Sequence, residues 1–332
     1  MMKHLVAMGF ASALGVAAAP ALGQSDDPVN VAVCGASPGG LWSLVGAGMD
    51  AALKAESPGS TITYQSSSGG LANVVQVKAG TCQLGMANDG DLIYAKNGTG
   101  PFEGEAVEGL HALAVLYDWA PVWWIARADW AEEHGIESIA DIAEKQPPVR
   151  LVFNRRGLLT SAITEETLKV VGVTLEDIET WGGEVQFQAS NEQTKLMRDG
   201  RVDLLANTLF EGHRTIAEMA DAVDLKLLGT PDEAAEAVID LFQLKPWTLA
   251  PGSVPGQEEP VETVTTSIIL FADASLPDDV AYRITKAMID NPERMGAVSA
   301  AMQRFTPEGM TGQNAAPFHP GALRAYQEAG LM

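Results

Sequence analysis

The chain has 332 residues, 43 acidic against 21 basic side chains, and a formal net charge of −22 at pH 7. Such an acidic surface repels nucleic acid and anionic membrane surfaces, which excludes both as main partners. After residue 23, no segment has the roughly 18 uninterrupted apolar residues of a membrane-spanning helix, so we expect a soluble mature protein.

The first 23 residues have the pattern of a signal peptide. Lys3 and His4 precede an apolar run over residues 5–20, and small residues follow up to Gly23. The run is shorter than the ~20 residues that cross a bilayer, which argues against a membrane anchor. We therefore expect export to the periplasm with cleavage after Gly23. The remaining chain is long enough for two domains of roughly 150 residues each.

The next part of the chain alternates short β-rich runs with helical patterns, which is typical of a parallel sheet with crossover helices. Strands are predicted at 29–34, 61–65 and 84–87. Leu41, Leu44, Val45, Met49 and Leu53 repeat at helical spacing, and a second helix is predicted over 71–78. These elements predict a first α/β lobe.

A long apolar run over residues 110–127, with Pro121 near its middle, predicts a strand that crosses from the first sheet to a second lobe. Capping patterns begin at Ser138, Thr174 and Ser190 and predict helix starts. A helix is also expected over 161–171. The remaining predictions are strands at 150–153, 184–189 and 202–206, an ordered loop at 245–259, a second crossing strand at 263–272, and helices at 277–290 and 320–330.

The two cysteines are predicted to be free, buried thiols. Cys34 closes one predicted strand and Cys82 opens another, and the two strands are expected to be parallel neighbours. Five or six residues at ~3.3 Å each would then separate them along the sheet. That distance exceeds the ~7 Å limit for the Cα atoms of bridged cysteines.

Enzymatic motifs are weak in this sequence. Residues 35–39 match the G-x-S-x-G turn of serine hydrolases, but Pro38 follows Ser37 and lacks the N–H that an oxyanion hole needs. Losing that donor would cost ~2.7–4 kcal/mol of transition-state stabilisation. The histidines beyond residue 23 show no paired metal-ligand spacing, and no phosphate-binding glycine motif is present. We expect no catalysis, no metal and no cofactor, with a hydrolase using Ser37 as the weaker alternative.

Several segments together resemble the substrate-binding receptors of tripartite ATP-independent periplasmic (TRAP) transporters, in their TAXI branch. The most specific segment is the tail at 317–331, and the others lie at 39–42, 67–73, 255–259 and 276–280. The resemblance covers essentially the whole chain after residue 23. It departs from the family at 154–160, where Asn-Arg-Arg-Gly-Leu-Leu-Thr replaces the usual Gly-Ser-Gly-Thr turn.

The resemblance implies an α/β, two-lobed periplasmic-binding-protein fold of type II, with a ligand cleft between lobes joined by crossing strands. We assign 24–119 and 271–332 to lobe 1 and 120–270 to lobe 2. The implied function is a monomeric receptor that delivers a small organic anion, such as 2-oxoglutarate or glutamate, to TRAP membrane subunits. An accessory protein of a membrane sensor kinase is the alternative, because the sequence does not distinguish the two.

Ligands of parallel sheets gather where strands lead into helix N-termini, whose free N–H groups hold carboxylates. Three such turns, at 37–42, 66–73 and 154–161, are expected to face the cleft, although glycine and serine also make tight turns without any ligand. The predicted ligand-binding residues are Gly39, Gly40, Trp42, Ser67, Ser68, Gly69, Asn73, Asn88, Asp89, Arg155, Arg156, Thr160, Asn207, Phe210 and Trp247.

Two of these predictions leave alternatives open. Adjacent residues on a turn point in different directions, so we expect one of Arg155 and Arg156 to clamp a carboxylate and the other to be solvated. Asp89 follows a strand end, where it either receives an ammonium group or caps the next helix. Trp119 is a further candidate for the cleft wall, whereas Trp123 and Trp124 are expected in the core.

Overall fold

The computed structural model describes residues 27–332, so the predicted signal peptide and its cleavage site lie outside the described residues. Within residues 27–332, no helix is both long enough and apolar enough to cross a membrane.

The first lobe begins with three β-strand and helix pairs, as the alternating pattern predicts. Its strands β1 and β2 are parallel, and β1 also pairs in parallel with β3. The elements are β1 (Asn30–Cys34), α1 (Leu41–Glu56), β2 (Thr61–Gln65), α2 (Gly70–Lys78), β3 (Leu84–Asn88) and α3 (Asp89–Asn97). A 3-10 helix, Gly100–Phe102, follows α3.

Two long strands connect the lobes. Strand β4 (Leu110–Arg127) has the predicted bounds, and β10 (Val261–Asp273) extends the second predicted crossing strand. In the first lobe, β10 pairs antiparallel with β3 and with the first part of β4. From Val122 onward, β4 instead pairs with a strand of the second lobe. The side chains of Trp123 and Trp124 are each 1% exposed, which confirms their predicted core position.

The second lobe repeats the α/β plan. Strands β5 and β6 are parallel, and β7 joins β5 to the crossing strand β4. Its first elements are α4 (Ala128–His134), α5 (Ala140–Lys145), β5 (Arg150–Phe153), α6 (Leu159–Val170), α7 (Leu175–Thr180) and β6 (Glu184–Phe187). They are followed by α8 (Ser190–Arg198), β7 (Leu204–Thr208), α9 (Arg214–Ala220), β8 (Leu225–Leu227), α10 (Asp232–Phe242) and β9 (Lys245–Leu249).

The C-terminal helices return to the first lobe. Tyr326 of the last helix is fully buried and donates a hydrogen bond of 2.6 Å to the backbone oxygen of Leu113 in β4. These elements are α11 (Asp278–Asp290), α12 (Pro292–Gly296), the 3-10 helices Ala300–Arg304 and Glu308–Thr311, and α13 (Pro320–Glu328).

The strand order is β2-β1-β3-β10-β4-β7-β5-β6, with β8 on β4 and β9 on β10. Apolar clusters cover both faces of the sheet in each lobe. This arrangement is the two-lobed, type II periplasmic-binding-protein fold, so the predicted fold class is confirmed. The carboxyl ends of the parallel strands face the region between the lobes.

The prediction that both cysteines are free thiols is wrong, because Cys34 and Cys82 form a disulfide with a Cα–Cα distance of 5.8 Å. The strands are parallel neighbours, as expected, but they are strongly staggered. Val33 pairs with Leu84 and Cys34 with Gly85, so β3 begins beside the last two residues of β1. Cys82 lies just before β3 and therefore beside the end of β1. The two cysteines are thus not separated along the sheet by the length of a strand, as had been expected.

The predicted loop at 245–259 is also wrong in its first part. Residues Lys245–Leu249 form β9, which pairs antiparallel with β10 from Val261 to Thr265. Pro246 suggested a loop, but β9 pairs only with β10 and lies at a sheet edge, where a missing N–H is tolerated. Strand β8 and helices α4, α9, α10 and α12 were not predicted either.

Candidate functional site

Two of the three predicted turns, 66–73 and 154–161, line one cavity of about 520 Å³, to which the first turn contributes Trp42; we call it the arginine cavity. Both lobes contribute to it: α1 and α2 begin on one side, and α6 begins on the other. Its lining residues are Ala36, Trp42, Ser68, Gly69, Gly70, Leu71, Ala72, Asn88, Asp91, Pro101, Arg155, Arg156, Gly157, Leu158, Leu159 and Thr160.

The helix starts at this cavity leave backbone N–H groups available. The residues that precede α2 and α6 are Gly69 and Leu158, and neither side chain caps its helix. Gly69 has φ 117°, a conformation that favours glycine. A Cβ at Gly70 would overlap the carboxylate of Asp91, so glycine is required for this close approach. Uncapped N-termini with their partial positive charge are suited to a carboxylate.

Beneath the cavity, Asn73 holds the strand ends together. Its side chain is fully buried and donates to the backbone oxygens of Gly35, at 2.9 Å, and Met86, at 2.7 Å. Ser67 also donates to the oxygen of Gly35, at 2.7 Å, and accepts from the N–H of Gly69. Both residues were predicted to bind ligand. The structure places them behind the lining, where they fix the turn.

Arg155 and Arg156 both line the cavity and are exposed. The guanidinium of Arg156 lies over the ring of Phe187, 3.7 Å from its centroid, which fixes that side chain by a cation–π contact. Among residues 27–332, neither arginine has a carboxylate partner within salt-bridge distance. The two guanidiniums are therefore free to pair with an anionic ligand.

Asn88 and Asp91 lie on the first-lobe side of the cavity and form a capping box at the start of α3. The carboxylate of Asp91 accepts from the backbone N–H and the side-chain amide of Asn88, both at 3.0 Å. Burial raises the pKa of Asp91 to about 6, although these hydrogen bonds oppose the shift. Asp91 was missed in the sequence, where its spacing of three residues from Asn88 was the available signal.

Asp89 does not line the arginine cavity. It is 3% exposed and accepts from the backbone N–H of Gly90, at 3.0 Å, and of Ser267 in β10, at 2.8 Å. Burial raises its pKa to about 8 against the effect of both hydrogen bonds. The residue ties α3 to the crossing strand β10. Of the two open alternatives, the structure favours the local hydrogen-bonding role over an ammonium site.

Asn207 is also placed away from the lining. It is 1% exposed, its oxygen accepts from Asn154 and the N–H of Thr208, and its amide donates to Ser190 and Gln193. The side chain thus joins the strand ends of the second lobe. Thr160 does line the cavity, and its hydroxyl contacts that of Thr208.

Three predicted residues, Gly39, Gly40 and Phe210, line a separate cavity of about 430 Å³, which we call the tryptophan cavity. Trp247 lies beside it and donates from its indole nitrogen to Glu211, at 3.2 Å. The lining consists of Gly39, Gly40, Leu41, Leu44, Trp119, Phe210, Glu211, Gly212, His213, Arg214, Ser299, Ala300, Ala301 and Arg304. Glu211 and Arg304, which were not predicted as site residues, form a salt bridge of 2.9 Å between the lobes.

The described part of the chain contains no group of three or more histidine, cysteine, aspartate or glutamate residues able to hold a metal ion. Ser37 is exposed on the turn before α1. The cleft instead offers uncapped helix starts and two unpaired arginines.

The structure is similar to solved structures over nearly its full length. MatC from Rhodopseudomonas palustris, with bound malate, matches 91% of this chain and 96% of its own, at 14% identity and a TM-score of 0.52. A protein from Bordetella bronchiseptica matches 92% and 99%, at 12% identity and a TM-score of 0.52. A TRAP periplasmic solute binding protein from Rhodobacter sphaeroides matches 85% and 82%, at 10% identity and a TM-score of 0.46.

A family model describes the sequence over almost the same extent as these structural matches. The model of the NMT1-like family matches residues 33–330, from the end of β1 to the residues after α13. The match includes both lobes, both crossing strands and all three predicted turns. The chain belongs to the NMT1-like family.

Proposed function

We propose that this protein is a periplasmic solute receptor that captures a small organic carboxylate in the arginine cavity and delivers it to the membrane subunits of a TRAP transporter. The observation that carries the proposal is the convergence of two uncapped helix starts, those of α2 and α6, and two unpaired arginines on one cavity between two lobes. The signal peptide pattern and the sequence resemblance support export and the TRAP partnership.

The charges around the cavity favour an anion. Arg155 and Arg156 supply two cations without carboxylate partners, and the helix starts add partial positive charge. Asp91 is the one acidic lining residue, and burial raises its pKa. A ligand carboxylate is therefore expected between the N-terminus of α2 and one of the arginines.

The cavity volume of about 520 Å³ lies within the ordinary range for small-molecule pockets. We propose a dicarboxylate or keto acid such as 2-oxoglutarate, with acidic amino acids such as glutamate as the second choice. Asp89 is occupied by two backbone N–H groups, which leaves it a poor receiver of an ammonium group. Malate, the ligand of MatC, is a further member of the proposed class.

The proposal is tested first by thermal unfolding in the presence of 2-oxoglutarate, malate, glutamate, glutamine and acetate. A ligand at 100 times its dissociation constant adds ~2.7 kcal/mol of stability, which is readily measured. We expect stabilisation by a dicarboxylate and none by acetate. Stabilisation only by neutral or cationic compounds would contradict a carboxylate receptor.

Single substitutions then assign the clamp. With the acid that stabilises most, calorimetric affinity is measured for Arg155→Ala, Arg156→Ala and a control, Arg294→Ala, whose exposed guanidinium pairs with Glu293 and does not line the cavity. Loss of a charge-assisted pair worth ~1.5–3 kcal/mol weakens binding by roughly ten- to a hundredfold. We expect that loss for at least one of the first two variants and none for the control. The lobe assignment, 24–119 with 271–332 and 120–270, remains part of this proposal.

A further inference from the structure

We propose that Asp91 couples capture of a carboxylate in the arginine cavity to the uptake of one proton. The inference rests on the proposed function and adds to it a dependence of affinity on pH. Of the lining residues, only Asp91 is acidic, and it is 2% exposed. When a buried carboxyl shares its site with a ligand carboxylate, one of the two takes up a proton, because two like charges at close range repel each other.

The carboxyl group of Asp91 lies at the start of α2, where the ligand carboxylate is expected. A Cβ at Gly70, the first residue of α2, would lie 2.8 Å from its Cγ. Its Oδ2 accepts from the backbone N–H and the side-chain amide of Asn88. Within residues 27–332, its Oδ1 has no hydrogen-bond partner, although it keeps some exposure to solvent. Because Asp91 lines the cavity and is otherwise buried, a ligand in the cavity can reach this free oxygen.

Protonation of Oδ1 turns the repulsion into a hydrogen bond. The proton comes from solvent, binds to Oδ1 and is donated to an oxygen of the ligand carboxylate, while Oδ2 keeps both bonds from Asn88. The charges of the site then balance, because Arg155 and Arg156 face the two carboxylates of a dicarboxylate and Asp91 is neutral. With Asp91 ionised, the site would hold one negative charge in excess, which is costly for a buried group.

The surroundings of Asp91 favour this response near neutral pH. Burial raises its pKa from 3.8 to about 6, against the hydrogen bonds from Asn88, and a ligand carboxylate would raise the pKa further. Helix α2 carries one charged residue, Lys78, which is paired with Asp273. The pKa values of Asp89 and Glu165 are also raised by burial. The charged or titratable side chains on the other elements around Asp91 are Asp89, Tyr94 and Lys96 of α3, Asp240 at the end of α10 that meets α3, Glu165 of α6, and Arg155 and Arg156 across the cavity.

The proton is counted by calorimetry at pH 7 in buffers of different ionisation enthalpy, with 2-oxoglutarate and malate as probes. Both acids are fully ionised above about pH 6, and neither has an ammonium group that could neutralise Asp91 in place of a proton. We expect uptake of more than about half a proton per ligand bound. Because the complex then holds more protons than its separate partners, affinity should fall roughly tenfold between pH 6 and pH 8.

Three variants assign the proton. Asp91→Asn removes the titratable group and keeps an oxygen that can accept from Asn88. It should bind the acids without proton uptake and with equal affinity at pH 6 and pH 8, and at pH 8 it should bind them more tightly than the parent does. Asp89→Asn and Glu165→Gln are the matched controls, because each removes a carboxyl with a raised pKa that does not line the cavity. Both should keep the proton uptake of the parent.

Two results would overturn the inference and leave the proposed function standing. One is binding of either acid by the parent without proton uptake and with equal affinity at pH 6 and pH 8. The other is proton uptake that persists in Asp91→Asn and disappears in Asp89→Asn or Glu165→Gln, because another carboxyl would then hold the proton. Failure of both acids to bind at any pH in this range would instead contradict the proposed function, and the inference would fall with it.

Discussion

Asp89 is a buried carboxyl at the junction of the lobes, and its ionisation is linked to folding. Burial raises its pKa from an ordinary 3.8 to about 8 in the folded protein, with neighbouring Asp91 adding to the shift and Lys245 opposing it. The folded state therefore holds this proton more tightly than the unfolded chain does. The stabilisation that this proton gives the folded state is complete below about pH 4. It is lost as the pH rises through about 8 and does not change further above that pH.

We predict that the free energy of unfolding of the parent falls relative to that of Asp89→Asn between pH 4 and pH 8. The slope of this difference should approach about 1.4 kcal/mol per pH unit, the value for one proton. Urea unfolding at several pH values measures it, with the exposed Asp232→Asn as control. Parallel curves for the parent and Asp89→Asn would show that Asp89 ionises normally in the folded state.

At the scale of elements, the disulfide ties the end of β1 to the chain just before β3, directly behind the turn that carries Gly39 and Gly40. It closes a loop with a sequence separation of 48 residues. Chain-entropy arguments give roughly 4 kcal/mol for a loop of that length. A disulfide is also expected for a protein exported to an oxidising compartment.

We predict that Cys34→Ser/Cys82→Ser lowers the free energy of unfolding by about 2–5 kcal/mol relative to the parent, as measured in urea. A reducing agent should lower the free energy of unfolding of the parent by the same amount and should leave that of the double variant unchanged. Alkylation under denaturing, non-reducing conditions should label no cysteine, and two after reduction. Two labelled cysteines before reduction would contradict the bridge.

The relative position of the two lobes in the whole molecule depends on a close contact between them beside the arginine cavity. Gly90 in α3 of the first lobe faces Leu159 in α6 and Phe242 in α10 of the second, and Tyr94 packs edge-on against Phe242 with centroids 5.6 Å apart. A Cβ at Gly90 would lie 2.7 Å from Leu159 Cδ1 and 3.3 Å from Phe242 Cβ. A branched side chain there would force the lobes apart.

We predict that Gly90→Val increases the radius of gyration in small-angle scattering and weakens carboxylate binding by roughly tenfold, because the closed arrangement is populated less. Gly309→Val is the control, since its Cβ would meet nothing closer than 3.7 Å. An unchanged radius together with parental affinity would show that the lobes do not need this contact.

Much of this architecture could be predicted from the sequence. Continuous apolar or alternating runs fixed the bounds of β2, β4 and β5, and the two crossing strands led directly to the two-lobed fold. Strand stagger was not predictable from a single sequence, because the pattern within β1 and β3 carries no information on their relative register. The prediction of two free thiols was wrong for that reason.

The candidate site could be predicted at the level of turns but not of side chains. Strand ends bring residues 66–73 and 154–161 together whatever their side chains are, with Trp42 of the turn at 37–42 beside them. A short polar residue such as Asn73, Asp89 or Asn207 looks the same in sequence whether it contacts a ligand or the neighbouring backbone, and here each bonds within the protein. Glu211 and Arg304 were missed because they are brought together only by a tertiary contact, whereas Asp91 was missed although its capping partner Asn88 is three residues away.

Capture of a carboxylate between the lobes by the arginine pair can be measured in one calorimetric titration. The double variant Arg155→Ala/Arg156→Ala is titrated with the dicarboxylate that most stabilises the parent, beside the parent and Arg294→Ala. Removing both cations should weaken binding about a hundredfold or more, while Arg294→Ala binds as the parent does. Parental affinity in the double variant would contradict the account.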